Sequence, residues 1–575
     1  MTDHERFPVV LLWHMHQPNY RDALTGSYRL PWTVLHAIKD YVDMAAHLEA
    51  NPQARAVVNF TPVLVEQLQE LAVRSRAHLV NGSPLPDPVL AVLGADPLPE
   101  AVEPRLSLLQ ACLRANRANL IDRYPAYAAL AALSVRFDSV LTITYASDQY
   151  LRDLGMWFHL AWLGETVKRG DARVAALLNR EYHYTPQHCR QLLELIVELL
   201  EGVLPRYRAL AQSGQIEVAV SPFGHPIMPL LLDFRAVREA QPGALLPHAA
   251  GYPDGERRVR WHLQQAVACV REVFGAEPWG CWPSEGAISD GTLNLIAEAG
   301  FGWMASGGSV LHGTLAQQDR TVPAVPESHL YLKPHAQRAG PGPGPGLYCL
   351  YRHDELSDLI GFTYSTWHGD DAVAHFVAEL ERTADQARAA SDGARLLLIA
   401  LDGENAWEHY PFNGFYFLRG LYAALANHPR LKLSRLSDCL VGSAAATAMG
   451  SVRGGSWVHG TLATWMGDAD KNRGWDLLVD AKRAVDAALA SGRFDGAAER
   501  RILLQLAHCE SSDWFWWFGD YNPAESVRDF DQLFRHQLAS LYQLIGSPTP
   551  AALAVPVSVG NGAPEGGGVM RRSVE

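Results

Sequence analysis

Short apolar runs alternate along this chain with longer amphipathic segments. Five of the runs are continuous and apolar enough to form buried strands. They begin at Pro8, Ala54, Gln215, Phe301 and Leu396. Between them, segments such as 63–75 and 261–274 place apolar side chains at every third or fourth position, which is typical of helices that bury one face. The alternation predicts an α/β fold, either a barrel or a doubly wound sheet.

The pattern changes after about residue 450, where strand signals fade and helical periodicity takes over. We therefore predict a large α/β domain over 1–450 and a smaller helical domain over 451–548. The Gly/Pro-rich run 338–346 predicts an exposed loop, because it can neither pack nor donate hydrogen bonds regularly. The Pro-, Gly- and Ala-rich stretch 549–575 predicts a disordered tail.

The bulk composition narrows the possible functions. With 575 residues, a net charge of −13 and a pI near 6.0, the chain lacks the Lys/Arg excess that nucleic acid binding requires. Sixteen tryptophans favour a carbohydrate ligand, although Trp more often packs in a core. Seven scattered cysteines without a CxxC pair predict reduced thiols. The apolar run 8–13 is too short for a signal peptide or a membrane span, so we expect a cytoplasmic protein without membrane contacts.

Two histidines end the first predicted strand, in the sequence WHMHQP. His14 and His16 project on the same side of that strand, and Gln17 follows them. A His-x-His pair at the end of a first barrel strand is a metal-ligand arrangement. Two imidazoles beside an amide can equally well hydrogen-bond sugar hydroxyls, and the residues leave both interpretations open.

The next two motifs add a histidine and a carboxylate. His225 lies between Pro222 and Pro226 in SPFGHPIMPLL, where the prolines fix the loop; a lone histidine here is more often structural. In GCWPSEGAISD, Glu285 follows Trp282 on a turn that glycines flank. This turn offers a rigid position for a nucleophile and an aromatic wall for a sugar ring. The alternative for Glu285 is a place at a helix N-terminus, where the dipole favours an acid.

A second carboxylate ends the strand predicted from Leu396, in LLLIALDGENAWEHYPFNG. There, partial desolvation should raise the pKa of Asp402 toward the range useful for proton donation. Glu404 and Glu408 compete for that role, and a helix cap is the alternative for Asp402. Glu285 and Asp402 together would supply the two carboxylates that glycosidic bond cleavage requires, but their spacing in sequence does not give the mechanism.

The last motif is aromatic. Trp465 and Asp468 lie in TLATWMGDADKNRGWDLL, and the run 514–517 reads WFWW. Four large rings in succession exceed what ordinary helix packing needs, so we expect some of them to cover a sugar cleft and others to be core.

In this order and spacing, the five motifs resemble those of glycoside hydrolase family 57, particularly its amylopullulanase-like and α-amylase-like members. The resemblance runs from residue 8 to about residue 520. It implies an incomplete (β/α)7 barrel as the catalytic domain, followed by a C-terminal helical bundle that completes the cleft. It also implies a retaining mechanism with Glu285 as nucleophile and Asp402 as general acid/base.

The resemblance further implies a substrate site for an α-glucan or maltooligosaccharide, with no cofactor and no metal. The residues expected around the substrate are His14, His16, Gln17, His225, Trp282, Glu404, Trp407, Trp465 and Asp468. An intracellular role on glycogen or maltodextrin fits better than a secreted one, because the signal peptide and extra modules of secreted amylopullulanases are not recognisable here. The sequence does not indicate an oligomeric state.

Three alternatives remain open at this stage. The family also contains branching enzymes and 4-α-glucanotransferases, which share the carboxylate pair and transfer the glycosyl group to a sugar hydroxyl. A metal-dependent carbohydrate deacetylase would use His14 and His16 as ligands. A non-catalytic glucan-binding protein would keep only the aromatic cleft.

Overall fold

The computed structural model describes residues 6–333, 346–390, 395–440 and 446–562. The Gly/Pro-rich loop predicted over 338–346 lies, except for its last residue, outside the described residues.

One sheet forms the centre of the protein. Its strands are β1 (Phe7–Met15), β2 (Ala56–Phe60), β3 (Ile216–Val220), β4 (Gly280–Cys281), β5 (Trp303–Gly307), β6 (Tyr331–Lys333), β7 (Leu347–Arg352), β8 (Leu397–Asp402), β9 (Leu431–Leu433) and β10 (Thr447–Ala448). Their order is β10-β6-β7-β5-β4-β3-β2-β1-β8, with β9 paired to β1. Only β6 and β7 pair in antiparallel fashion within the described chain.

Seven of these strands form the barrel. β1, β2, β3, β4, β5, β7 and β8 are parallel neighbours in the sheet. The end of β7 returns to β8 through a hydrogen bond from the His353 amide to the Leu398 carbonyl, at 2.8 Å. This contact brings the two ends of the sheet together, and the (β/α)7 barrel that the sequence predicts is confirmed.

The strands were predictable where they are long and apolar. All five predicted runs form strands, namely β1, β2, β3, β5 and β8. β4 was not predicted, because it has only two residues and its sequence, Gly280–Cys281, carries no periodicity. β7 was also missed, although it is buried along its whole length.

Helices connect the strands and cover the outside of the barrel. Those before residue 441 are α1 (Trp32–His36), α2 (Val42–Glu49), α3 (Pro62–Asn81), α4 (Ala91–Gly94), α5 (Val102–Ala111), α6 (Pro125–Ser134), α7 (Asp148–Trp162), α8 (Glu165–Gly170), α9 (Ala172–Arg180), α10 (Pro186–Gln212), α11 (Met228–Leu232), α12 (Val237–Ala240), α13 (Gly255–Phe274), α14 (Asp290–Glu298), α15 (Gly308–Gln317), α16 (Asp354–Asp358), α17 (Gly369–Ala390), α18 (Phe415–Ala426) and α19 (Leu436–Leu440). The group α4 to α9 forms a helical insertion between α3 and α10 that the sequence did not predict.

Four further helices follow the barrel. They are α20 (Ala469–Ala490), α21 (Gly496–Cys509), α22 (Ser512–Trp517) and α23 (Ala524–Leu544). Trp475 of α20 stacks on Phe515 of α22 with ring centroids 4.4 Å apart. Their apolar side chains belong to one hydrophobic core that is continuous with that of the barrel. The predicted C-terminal helical region is therefore present, and it packs directly on the barrel.

The end of the described chain is ordered. Residues 551–554 form a short 3-10 helix, and the Val557 and Ser558 amides donate to the buried Asp531 of α23. The prediction of a disordered tail from residue 549 is therefore wrong for 549–562, because these backbone groups have partners. Residues 563–575 lie outside the described part of the chain.

Over the described ranges, no helix combines the length and the apolar character that crossing a membrane requires.

A buried ion pair joins the barrel to the C-terminal helices. Glu510, which ends α21, accepts from Arg258 of α13 at 2.9 and 2.7 Å, and it lies 2.8 Å from His262 Nε2. The Tyr252 hydroxyl donates to the same carboxylate at 2.6 Å. Burial would raise the pKa of Glu510, but Arg258 and His262 outweigh it and lower the pKa to about 2.

Replacing Glu510 with Gln should therefore destabilise the fold by about 3–5 kcal/mol, because it leaves the Arg258 charge buried without a counter-charge. Chemical denaturation measures this, and Glu499→Gln on the exposed face of α21 is the control. Because the folded pKa lies below the ordinary 4.5, the stabilisation is complete above that value and is lost as pH falls toward 2. Equal stability of Glu510→Gln and Glu499→Gln would contradict this.

Candidate active site

A cleft of about 750 Å³ opens at the carboxyl ends of the barrel strands. The polar residues predicted from four motifs all line it. They are His14, His16, Gln17, His225, Glu285, Asp402 and Glu404. Parallel strands deliver their last residues to the same end of a barrel, so motifs far apart in sequence meet there.

Glu285 lies in a 3-10 turn, Ser284–Gly286, just after β4. Its φ of 58° is in the left-handed region, which a residue with a side chain adopts only when its surroundings compensate the strain. Here Trp457 Nε1–H donates to one carboxylate oxygen at 3.0 Å, and the Ser512 hydroxyl donates to the other at 3.2 Å. These two donors fix the carboxylate and stabilise its ionised form.

Asp402 is the last residue of β8, where it lies beside His14 of β1 in the sheet register. Asn405 donates to its Oδ2 at 2.8 Å. Burial raises the pKa of Asp402 to about 6, against the opposing effects of Asn405, His16 and Arg352. The sequence-based expectation of a raised pKa at this strand end thus agrees with the environment that the fold builds.

The pKa values of the two carboxyls lie on either side of neutral pH. Burial raises the pKa of Glu285 to about 8, and the negative charges of Asp402 and Asp513 add to this rise. Two interacting acids in one desolvated cleft do not both ionise readily, so the pair as a whole titrates in two steps. With these pKa values the pair holds one proton near neutral pH, mostly on Glu285, and the form with Glu285 ionised and Asp402 protonated is the minor one.

Three histidine rings lie together beside the carboxylates. His16 and His225 stack with centroids 3.9 Å apart, and His14 lies 5.1 Å from His225. His16 contacts the Thr61 hydroxyl at 3.0 Å and Asp513 at 2.9 Å. His225 Nδ1 lies 3.0 Å from Ser512 Oγ.

Burial keeps two of these rings neutral. It lowers the pKa of His14 to about 3, and it lowers the pKa of His225 well below the ordinary range, helped in each case by repulsion from neighbouring histidines. Neutral imidazoles can donate or accept, which suits them to contact hydroxyl groups.

Glu404 lies beneath this cluster. Its side chain is buried. It accepts a hydrogen bond from the backbone N–H of His16 at 3.1 Å and another from Gln17 Nε2 at 3.3 Å. Burial, together with the Asp402 charge, raises its pKa well above the ordinary value. Glu404 therefore fixes the position of His16 and Gln17 through hydrogen bonds to both.

The chain matches the model of one protein family, described as Glycosyl hydrolase family 57, over residues 10–447. This match covers most of the chain and decides its classification. The chain belongs to glycosyl hydrolase family 57. The resemblance seen in the motifs is thereby confirmed, and no curated protein matches the sequence.

Solved structures show the same fold at low sequence identity. A family 57 branching enzyme from Pyrococcus horikoshii is 14% identical, with a TM-score of 0.54 over 96% of this chain and 99% of that one. A second branching enzyme, from Thermococcus kodakaraensis, is 15% identical, with a TM-score of 0.54 over 97% and 98%. An α-amylase from Thermotoga maritima is 13% identical, with a TM-score of 0.55 over 95% of each chain.

The expectation that three tryptophans form the walls of the cleft is wrong. Trp282, Trp407 and Trp465 are fully buried and do not line the cleft. Trp282 packs behind it against Trp457, with centroids 5.0 Å apart, and Trp407 packs against Trp13 at 5.8 Å. All three indoles therefore belong to the core rather than to the cleft wall.

Asp468 also lies away from the cleft. It is exposed and caps α20 by accepting from the Asp470 amide at 2.8 Å, and it borders a shallow groove formed with residues 241–245. A helix-capping aspartate needs no other role.

The residues that the sequence missed come mostly from outside the barrel. Trp457 and Ser512 donate to Glu285, and Asp513 lines the cleft. The aromatic run 514–517 was expected to divide between cleft and core, and it does: Trp514 and Phe515 are fully buried, whereas Trp516 and Trp517 line the cleft. Asp513 lies directly before that run. No pattern in the sequence marks Trp457.

Two substitutions should shift the pKa of Glu285 in opposite directions. Asp402→Asn removes a neighbouring negative charge and should lower it, whereas Trp457→Phe removes a donor to the anion and should raise it. Difference infrared titration of each variant against its Glu285→Gln counterpart isolates this one carboxyl. Shifts of the same sign in both variants would show that the two groups do not act on Glu285 as described.

Proposed function

We propose that the protein cleaves α-1,4-glucosidic bonds of glycogen, starch or maltodextrin with retention of configuration, and that α-1,6 bonds are a second target. The observation that carries this proposal is the pair of partly buried carboxyls, Glu285 after β4 and Asp402 at the end of β8, which line the same cleft. The relatives named as α-amylase and branching enzyme support an α-glucan substrate.

The proposed reaction has two steps. Glu285 attacks the anomeric carbon and forms a glycosyl ester, while Asp402 gives its proton to the departing glycosidic oxygen. Asp402, now ionised, then takes a proton from the acceptor, whose oxygen attacks the anomeric carbon and releases Glu285. The Trp457 and Ser512 donors hold Glu285 in position as nucleophile and as leaving group.

The remaining cleft residues would bind the sugars. Neutral His14 and His225, together with Gln17, can hydrogen-bond hydroxyls near the reacting ring. Trp516 and Trp517 present aromatic surface on which apolar sugar faces stack.

Transfer to a sugar acceptor is the second candidate activity. Trp32, Trp516, Trp517 and Phe530 give the cleft an apolar lining, which favours a sugar over water as the acceptor. Product analysis with maltoheptaose and with amylose distinguishes the two. Short linear sugars indicate hydrolysis, longer oligomers indicate disproportionation, and new α-1,6 linkages indicate branching.

We propose that the enzyme works in the cytoplasm. All seven cysteines are free, which suits a reducing compartment.

The roles of the two carboxyls predict different responses to a substrate whose leaving group needs no proton. Glu285→Gln should lose activity on both maltoheptaose and α-maltosyl fluoride, because no nucleophile remains. Asp402→Asn should lose activity on maltoheptaose by about 10²–10⁴-fold but still release fluoride. Glu499→Gln is the surface control.

Two outcomes would overturn this assignment. Fluoride release by Glu285→Gln at the wild-type rate would exclude Glu285 as the nucleophile. Absence of product from the wild type on every α-glucan would favour a deacetylase or a non-catalytic glucan-binding protein, which acetyl release and sugar-binding assays separate.

The pH dependence follows from the shared proton. We expect kcat/KM for maltoheptaose to rise through about pH 6 and fall through about pH 8. Below this window both carboxyls are protonated and no nucleophile is present; above it both are ionised and no proton donor remains. A rate that is flat across both limits would contradict the coupling.

A further inference from the structure

Three side chains of the cleft are of the types that bind transition metals, and they lie close together. One donor atom each from His16, His225 and Asp513 lies within 4.8 Å of the other two. Two imidazoles and one carboxylate are the ligand set that Zn²⁺ and similar divalent ions take, with positions left for water or substrate.

The hydrogen bonds of His225 point to the same chemistry. The Ser512 hydroxyl has one proton and donates it to Glu285. In its contact with His225 Nδ1 the hydroxyl is therefore the acceptor, so Nδ1 carries the proton. Nε2 is then a bare lone pair, and it is a buried atom without a hydrogen-bond partner. A metal-binding histidine has this arrangement, with one nitrogen held by a polar group and the other free to bind.

His16 can present its Nε2 in the same way. Its Nδ1 contacts Thr61 Oγ1 at 3.0 Å, and a hydroxyl can either donate to that nitrogen or accept from it. His16 Nε2 now lies 2.9 Å from Asp513. Two ligands that share a tetrahedral Zn²⁺ are about 3.3 Å apart, so these two atoms would separate by a few tenths of an ångström. The stacked rings of His16 and His225, whose planes are 27° apart, would rotate until both Nε2 lone pairs meet at the ion.

We propose that His16, His225 and Asp513 form a site for a divalent transition-metal cation such as Zn²⁺, and that this ion inhibits the enzyme by displacing the sugar. The inhibition rests on the proposed function, whereas metal binding does not. The ion would occupy the place where the histidine cluster meets the carboxylate pair, and His225 Nδ1 is only 4.0 Å from Glu285. Its charge would also oppose the protonated state that Asp402 needs as an acid.

Titration calorimetry with Zn²⁺ on the chelator-treated, full-length protein tests binding directly. We expect one site, with loss of binding in Asp513→Asn. Thr61→Val keeps all three ligands but removes the support of His16, and it should weaken affinity about 10–100-fold. His248→Asn is the matched control, because His248 forms an exposed pair with Asp476 that offers only two ligands.

Circular dichroism shows whether each variant is folded. Should Asp513→Asn fail to fold, two other measurements still test the site. One is the affinity of Thr61→Val for Zn²⁺. The other is competition, because saturating maltoheptaose should weaken Zn²⁺ binding to the wild type. Absence of a site in the wild type, or equal binding by Thr61→Val and His248→Asn, would overturn the proposal.

Inhibition is measured separately. Zn²⁺ should raise KM for maltoheptaose without lowering kcat, and EDTA should reverse the effect. A protein that binds Zn²⁺ at this site but cleaves no α-glucan would refute the proposed function and leave the metal site standing. A protein that cleaves maltoheptaose and binds no Zn²⁺ would refute the metal site alone.

Discussion

The hydrogen bonds that Trp457 and Ser512 donate to Glu285 are the constraint on which the rest of the site depends. Desolvation and the negative charges of Asp402 and Asp513 raise the pKa of Glu285 to about 8 even with these donors present, and without them its ionised form would be rarer still. The two donors lower that cost and fix the orientation of the oxygens. Glu285 is thus held in a fixed orientation, and its anion, although the minor form near neutral pH, stays accessible.

This constraint explains why the C-terminal helices pack directly on the barrel. Ser512 begins α22, and Trp457 precedes α20, so neither donor belongs to the barrel itself. The buried Glu510–Arg258 pair lies two residues from Ser512 and holds this part of the chain against α13. The ion pair and the Ser512 donor to Glu285 thus lie within one short, buried stretch of the chain.

The histidine cluster meets a related requirement. Charged imidazoles beside the carboxyls would hold both acids ionised and remove the proton donor, whereas burial keeps His14 and His225 neutral. Neutral rings with a free nitrogen bind hydroxyl groups, and they also bind transition metals. The same property that suits the cluster to a sugar therefore exposes it to competition from a metal ion.

The sequence by itself determined the parts of this protein that depend on local pattern. Long apolar runs gave β1 and β8, and the motifs at their ends, with His14 and Asp402, follow because parallel strands present their last residues at one face. The tertiary structure alone decided which large rings face the sugar, since Trp282 and Trp465 fill the core while Trp516 lines the cleft. It alone also supplied the donors to Glu285, because contacts between residues more than a hundred positions apart leave no periodicity in a sequence.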